Sequence, residues 1–169
     1  TCDHIGGGRF GLNVVSGYNA TDFDLFGIEM LEHDERYVYT EEWMTIVKRL
    51  WSETERFDFD GTYFQLKGAS GNPLPTGQPK IISAGSSPAG RDFAAKHADF
   101  LFMYILQTEG LRDEVSEVRK LPGGQDLDLF GSCVVMCRET SAEAEDYFQH
   151  LVHDNGDWAT ADYWESIIG

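Results

Sequence analysis

Basic residues are scarce in this sequence of 169 residues. Lysine and arginine together number 13, against 29 aspartates and glutamates, which gives a net charge of −16. Nucleic acids and anionic membrane surfaces are bound through basic protein surfaces. We therefore expect neither nucleic acid nor a membrane as a partner of this chain.

Long apolar runs and paired cysteines are also missing. No apolar run approaches the roughly 20 residues that a membrane-spanning helix needs. The three cysteines, Cys2, Cys133 and Cys137, include no CxxC pair, and their odd number does not fit a disulfide framework. These features indicate a reduced, cytoplasmic protein, in which Cys133 and Cys137 lie on one side of a strand as small apolar side chains. His150 and His153 have metal-like spacing without a supporting cluster, so no metal site is predicted.

Common nucleotide-binding and hydrolytic motifs are absent. The sequence contains neither GxxxxGK[ST] nor GxGxxG, which disfavours nucleoside triphosphate and Rossmann dinucleotide sites, and "GSSPAG" does not fit GxSxG. No residue stands out as a general acid or base, so the catalytic residues stay unassigned. An enzyme of this kind usually delegates its chemistry to a cofactor.

Apolar strands alternate with amphipathic helices along the chain. Strands are predicted over 10–16 and in "PKIISAG", "ADFLFMYI" and "DLFGSCVVMCRE"; helices are predicted from about Thr40, from Ser87 to about His97, over 111–121 and from Thr140. The segment "RFDFDGTYFQLKG" predicts an inserted β-hairpin that turns at Asp60-Gly61. This order requires parallel strands joined by crossovers, as in a doubly wound sheet or a (β/α)₈ barrel.

The last predicted helix begins with a capping box. Thr140 followed by Glu143 satisfies this pattern, and Tyr147, Phe148 and Leu151 are expected to face inward. The tail "DNGDWATADYWESIIG" is ambiguous, and a helical insertion is one interpretation of it.

Two segments could hold an anionic ligand at the carboxyl ends of strands, where α/β folds gather their chemistry. In "AGSSPAG", Gly85 permits close backbone approach, and Ser86 and Ser87 precede a helix whose free N–H groups favour phosphate. Simple helix capping by Ser87 is the alternative interpretation. Arg36 and Tyr37, just before the helix predicted from about Thr40, could bind phosphate or belong to a solvated charge cluster.

The first strand also ends in polar residues. The segment "GRFGLNVVSGYN" begins with apolar residues in a strand pattern and stops in a polar cluster that includes Asn13 and Ser16. Asn13 is therefore a candidate ligand contact. Asp22, in "NATDF", could accept a hydrogen bond from a ligand hydroxyl or be an ordinary turn residue.

Four segments in this order resemble the bacterial luciferase-like flavin monooxygenases, chiefly the alkanesulfonate and pyrimidine branch. They are "GGGRFGLNVVSGYN", "HDERYVYTEEWMTIVKRLW", "FDGTYFQLKGA" and "PKIISAGSSPAGRDFAAKHADFLF". The resemblance spans nearly the whole chain and implies a (β/α)₈ TIM barrel. Residues 1–169 would form a single domain, the central part of that barrel, with about four βα units and the hairpin. The first three strands and the last strand would be absent, and "TCDHIGGGR" would end a preceding helix.

The resemblance implies an FMN-dependent monooxygenase, which uses reduced flavin and O₂ to oxygenate a small organic substrate. An NAD(P)H-dependent flavin reductase would supply the reduced FMN. The residues that it places at the flavin site, with two neighbours in the serine turn, are Asn13, Asp22, Arg36, Tyr37, Gly85, Ser86 and Ser87. Because the absent strands would complete the site and cover the sheet, we expect an inactive piece that lacks FMN and forms a homo-oligomer.

The substrate stays open. The alkanesulfonate enzymes carry an arginine and a histidine on the strand that corresponds to "LFGSCVVMCRE", whereas this chain has Ser132 and Val134 nearby. The pyrimidine branch has a tryptophan at the position of Tyr18. The pyrimidine branch also has a glutamate in place of Asp22. An F420-dependent oxidoreductase that transfers hydride is an alternative within the same fold, and a non-catalytic flavin-binding or oligomerisation piece is another.

Overall fold

A computed structural model describes residues 1–105 and 108–168. The strands among these residues are β1 Gly11–Val14, β2 Phe57–Asp60, β3 Gln65–Ala69, β4 Lys80–Ser83, β5 Phe100–Tyr104 and β6 Asp128–Ser132. The α-helices are α1 Cys2–Gly6, α2 Ala20–Leu25, α3 His33–Ser52, α4 Pro88–His97, α5 Leu111–Lys120, α6 Ser141–Phe148 and α7 Trp158–Ile168. They form two compact units, Thr1–Gly17 with Leu31–Ser132 and Tyr18–Met30 with Cys133–Gly169.

A parallel sheet of four strands organises the first unit. Its order is β1-β4-β5-β6, and every neighbouring pair is parallel. Helices α3, α4 and α5 lie between successive strands of this sheet in the sequence. The predicted alternation of strands and helices is therefore confirmed, together with the inserted hairpin β2-β3.

The two faces of this sheet differ in burial. Alternate residues of a strand point to opposite faces, so residues in register share a face. Apolar residues facing the helices are buried; they include Val14, Ile81, Leu101 and Met103. The other side, which we name the open face, carries Asn13, Ile82, Phe100, Phe102, Tyr104 and Phe130. Phe102, Phe130 and Tyr104 are 45%, 47% and 73% exposed on it.

Two apolar clusters hold the helices on the covered face. One is formed by Val14, Met44, Ile81 and Phe93, with partly buried neighbours that include Tyr37 and Trp51. The other is formed by Ala94, Leu101, Met103, Val118 and Leu127. Helix α4 contributes to both clusters, so the turn that precedes it is fixed by packing on each side of the helix.

Helix α3 begins seven residues before the predicted position. It runs from His33 instead of about Thr40, so Arg36 and Tyr37 lie inside the helix and not before it. The acidic residues Asp34 and Glu35 occupy its first turn, where they favour the positive end of the helix dipole. No helix in the described part of the chain, α3 included, is long and apolar enough to cross a membrane.

The hairpin has a longer loop than predicted. The prediction of a turn at Asp60-Gly61 is wrong. The loop extends from Gly61 to Phe64, because Gly61 donates its N–H to the Phe64 carbonyl at 2.8 Å and β3 starts only at Gln65. The carboxylate of Glu42 explains this loop: it accepts the backbone N–H groups of the three loop residues Thr62, Tyr63 and Phe64 at 2.7–3.2 Å. These groups are therefore unavailable to a strand ladder.

The last sheet strand is shorter than predicted. Strand β6 ends at Ser132, which accepts the N–H of Ile105 at 3.1 Å just after β5 ends. Among the described residues β5 extends only to Tyr104, so the residues after Ser132 lie beyond the strand with which β6 pairs. Cys133 and Cys137 are consequently exposed in an irregular segment, and their predicted strand placement is wrong.

The second unit contains α2, α6 and α7, with a π-helical segment at Gln149–Asp154. The capping box is confirmed: the Thr140 hydroxyl accepts from the N–H of Glu143, and the Glu143 carboxylate accepts from the N–H of Thr140. Helix α7 occupies most of the ambiguous tail. In α2, the Asn19 side chain caps the helix by accepting the N–H of Thr21 at 3.1 Å.

The prediction that one face of the helix after Thr140 points inward is wrong. Tyr147, Phe148 and Leu151 are exposed. The guanidinium of Arg138 lies 3.6 Å above the Tyr147 ring, and Phe148 meets the edge of His153 with ring centres 5.4 Å apart. These aromatic side chains thus form surface contacts with polar neighbours instead of entering an apolar core.

Candidate functional site

The turn between β4 and α4 has the predicted capping geometry. The Ser87 hydroxyl accepts the N–H of Gly90 at 3.1 Å, and Pro88 occupies the first helical position. The buried hydroxyl of Ser83 accepts the N–H of Gly85 at 3.4 Å. Ser86, between the two, is exposed. The turn is thereby ordered from both ends, and the first N–H groups of α4 are set at the carboxyl end of β4.

Two glycines in this turn approach each other too closely for side chains. A Cβ on Gly90 would lie 2.8 Å from the Cα of Gly85 and 2.6 Å from the Tyr37 hydroxyl oxygen, and a Cβ on Gly85 would lie 2.8 Å from the same oxygen. The structure therefore brings Tyr37, Gly85 and the Ser87 cap together. The Tyr37 ring packs on Phe93 of α4, with ring centres 6.1 Å apart.

Arg36 precedes Tyr37 in α3 and retains unused hydrogen-bonding capacity. Its Nη1 donates to the Leu31 carbonyl at 2.8 Å. Its buried Nε has no hydrogen-bond partner within the described residues. A guanidinium carries five donors in a rigid fork that suits phosphate. Arg36 therefore fits an anionic group better than it fits its protein surroundings alone.

A buried hydroxyl joins this turn of α3 to the end of β1. Thr40 is only 6% exposed. Its hydroxyl donates to the Arg36 carbonyl at 2.7 Å and lies 2.9 Å from the hydroxyl of Ser16. Ser16 follows β1 by two residues. The strand end that carries Asn13 is thus linked through side chains to the helix turn that carries Arg36.

Asn13 lies on the open face. It is paired in register with Ile82 of β4, one residue before the buried Ser83. Its side chain is exposed, so its amide can meet a ligand lying on this face. Asp22 belongs to the second unit, where it lies exposed in the first turn of α2; its role as a ligand contact stays a prediction.

Gly90 and Thr40 are site residues that the sequence reasoning missed. The Gly85-x₄-Gly90 spacing in "AGSSPAG" carried a signal for the first, since a second glycine so soon after a strand suggests close backbone approach. Thr40 lies four residues after Arg36, on the same side of α3. A helix predicted to begin at about Thr40 concealed that relationship.

The parallel sheet with its intervening helices, the inserted hairpin and the capped turn after β4 are the architecture of a β/α-barrel protein, a class in which ligands bind at the carboxyl ends of the strands. A profile of the luciferase-like monooxygenases matches residues 1–165. The chain belongs to the luciferase-like monooxygenase family. The predicted (β/α)₈ fold class, present here as a partial barrel, is confirmed.

Named relatives and a solved structure agree with this assignment. The FMNH₂-dependent dimethylsulfone monooxygenase of Pseudomonas fluorescens (strain Pf0-1) is 32% identical over 154 residues, which cover 90% of this chain and 42% of that protein. The pyrimidine monooxygenase RutA of Acinetobacter baylyi is 37% identical over 154 residues, covering 85% of this chain and 41% of the relative. The crystal structure of the riboflavin lyase RcaE, with modified FMN and riboflavin, superimposes with a TM-score of 0.78 at 26% identity, covering 87% of this chain and 39% of RcaE. The chain thus spans about two fifths of these proteins.

Proposed function

We propose that this chain contributes the phosphate-binding side of the flavin site in an FMN-dependent monooxygenase that oxygenates a small organic substrate. The observation that carries the proposal is the turn after β4, where Gly85 and Gly90 touch beneath the Tyr37 hydroxyl at a helix N-terminus. The proposal is also supported by the family of the chain and by its similarity to an FMNH₂-dependent dimethylsulfone monooxygenase and a pyrimidine monooxygenase.

The residues of this turn fit a phosphate. The N-terminal N–H groups of α4 and the Ser87 hydroxyl would donate to phosphate oxygens, and Arg36 would add charge and paired donors. Gly85 and Ser86 would let the backbone approach the phosphate without a bulky side chain between them. The Tyr37 hydroxyl, held against both glycines, would add one further hydrogen bond.

The isoalloxazine ring would lie on the open face. Asn13 would donate or accept at a polar edge of the ring, while Phe102 and Phe130, stacked with centres 5.7 Å apart, would provide an apolar floor. Reduced FMN, when bound, supplies the electrons for O₂ activation, so the chain itself needs to bind, orient and shield it.

The proposed monooxygenase would need a partner that supplies reduced FMN. Reduced FMN would come from an NAD(P)H-dependent flavin reductase, and the chain would work in the cytoplasm. When no flavin is bound, a second copy of the chain would cover the exposed apolar side chains of the open face in a homo-oligomer.

A flavin titration tests the proposed function. The chain is expected to hold no resident FMN because the absent strands would complete the site, but added FMN should still bind weakly and saturably, as followed by flavin fluorescence. The Asn13→Leu variant should bind more weakly still, with an unchanged far-UV circular dichroism spectrum. F420 serves as the comparison ligand, because preference for it would favour hydride transfer within the same fold. Absence of saturable FMN binding to the wild-type chain would contradict the proposal.

A further inference from the structure

We infer that Thr40 is a positioning residue for the phosphate end of the flavin site, an inference that rests on the proposed function. It would act through Arg36 and not by touching FMN. Its hydroxyl fixes the first part of α3 against the end of β1. This holds the α3 backbone at Arg36 in one position, next to Tyr37, whose hydroxyl meets the turn after β4.

The geometry of Thr40 supports a role beyond helix packing. Its side chain is buried, and its hydroxyl is within hydrogen-bond distance of two groups, the Arg36 carbonyl at 2.7 Å and the Ser16 hydroxyl at 2.9 Å. The first contact lies within α3, and the second crosses to the segment after β1. One hydroxyl therefore connects two of the segments that carry proposed flavin contacts.

Arg36 needs such a support because its own contacts are few. Its guanidinium has a single protein acceptor in the described part of the chain, the Leu31 carbonyl, and its buried Nε has none there. The position of its guanidinium therefore depends on where the α3 backbone lies. The contact of Thr40 with Ser16 ties that part of α3 to the end of β1 and so sets the point from which the Arg36 side chain extends.

The same helix offers a matched control. Thr45 donates its hydroxyl to the Glu41 carbonyl at 2.8 Å, which is the same intrahelical hydrogen bond that Thr40 makes to Arg36. Thr45 makes no second side-chain hydrogen bond among the described residues. Thr45→Val removes the local bond alone, whereas Thr40→Val removes the local bond and the link to Ser16.

The test measures the affinities of FMN and riboflavin for four forms of the chain: wild type, Thr40→Val, Thr40→Ser and Thr45→Val. Riboflavin lacks the phosphate, so it reports the rest of the flavin site. We expect Thr40→Val to weaken FMN binding about fivefold, the scale of one net hydrogen bond, with riboflavin binding unchanged. Thr40→Ser keeps the hydroxyl and should restore FMN binding, and Thr45→Val should bind both ligands as wild type does.

Three outcomes overturn the inference. They are wild-type FMN affinity in Thr40→Val, equal losses for FMN and riboflavin, and the same FMN loss in Thr45→Val. If circular dichroism shows that Thr40→Val does not fold, Ser16→Ala replaces that variant, because Ser16→Ala removes the same link from the partly exposed side. Wild-type FMN affinity in Ser16→Ala would then overturn the inference. A wild-type chain that binds neither flavin overturns the proposed function and this inference together.

Discussion

Ser87 caps α4, and the proposed function gives it a second role as a phosphate ligand, which experiment can separate from the first. Ser87→Ala should weaken FMN binding by about 1–2 kcal/mol, because it removes a hydrogen bond to a charged group. Arg36→Ala should weaken it more, since it removes charge as well as paired donors. Flavin fluorescence titration of each variant measures both effects, and unchanged affinity in both would remove this turn from the flavin site.

Thr140→Ala is the control for the capping role of Ser87. Thr140 caps α6 by accepting an N–H through its hydroxyl, as Ser87 does for α4. Each substitution should lower the free energy of unfolding by about 1 kcal/mol. Only Ser87→Ala should also lower FMN affinity, and an equal loss in Thr140→Ala would show that the affinity change follows stability alone.

Gly90 tests how closely the β4–α4 turn is packed. Gly90→Ala would place a methyl group 2.8 Å from the Gly85 backbone, which cannot move away as a flexible side chain could. We expect the free energy of unfolding to fall by about 1–3 kcal/mol, the usual range for overpacking. Urea titration followed by circular dichroism measures this change.

Gly6→Ala provides the matched control in the same unit. Gly6 is also helical, and a Cβ there meets no atom within 4 Å. Its substitution should leave the free energy of unfolding unchanged or raise it slightly, because alanine favours helix over glycine. Equal losses in the two variants would show that the contact between Gly85 and Gly90 is not responsible.

Single residues were predictable from sequence where the chemistry is local. The Ser87 cap with Pro88, and the capping box of Thr140 and Glu143, each lie within one helical turn, so neighbouring letters contain the whole pattern. The contact of Tyr37 with Gly90 joins positions 53 residues apart. The burial of Thr40 beside Ser16 likewise depends on packing, which no local spacing reports.

At the scale of elements, one carboxylate fastens the hairpin loop to α3. Burial raises the pKa of Glu42, but the N–H groups of Tyr63, Thr62 and Phe64 together outweigh it and leave the pKa below its ordinary value. A lowered pKa in the folded state means that the ionised carboxylate stabilises the fold above about pH 4.3. This contribution is lost as the pH falls below that value.

Glu42→Gln should therefore lower the melting temperature by a few degrees at pH 7, because the amide NH₂ would face N–H donors. The difference from wild type should shrink as the pH falls below about 4, where the wild-type carboxyl is increasingly protonated. Thermal unfolding between pH 7 and pH 3 measures it. Glu117→Gln, at an exposed position of α5, is the control, and its melting temperature should stay close to that of wild type at every pH. A difference in melting temperature for Glu42→Gln that does not change with pH would contradict the assigned charge effect.

The boundaries of elements were less predictable than their order. Helix α3 starts at His33 within a polar, acidic stretch that resembles a loop by composition, and the packing of Tyr37 on Phe93 helps to hold its first turns. Strand β6 stops at Ser132 although "CVVM" has strong strand propensity. Propensity does not reveal where the neighbouring strand ends, and that point limits the ladder.

At the scale of the whole molecule, the open face should drive self-association. Phe102, Tyr104 and Phe130 expose aromatic surface on adjacent strands, and burial of such surface is favourable. We expect light scattering to give a mass of at least two chains, and the double variant Phe102→Ser with Phe130→Ser to shift it toward one. Trp158→Ser, on an exposed aromatic of the second unit, should leave the mass unchanged.

A compact monomer of the wild-type chain would contradict this prediction. A mass that falls equally in Trp158→Ser would show that association does not depend on the open face. Added FMN provides a further check, because a flavin lying on Phe102 and Phe130 would compete with a second copy for the same surface.

The order β1-β4-β5-β6 also predicts which strands of the sheet open locally most often. Within the described residues, β4 and β5 are each bonded to two neighbours, whereas β1 and β6 are each bonded to one. In deuterium oxide, the amide protons of Ile82 and Ser83 should therefore exchange more slowly than those of β1. The strand that leads into the Gly85 turn would stay closed while β1, with Asn13, opens and recloses. The β4 side of the proposed ligand site would thus open less often than the β1 side.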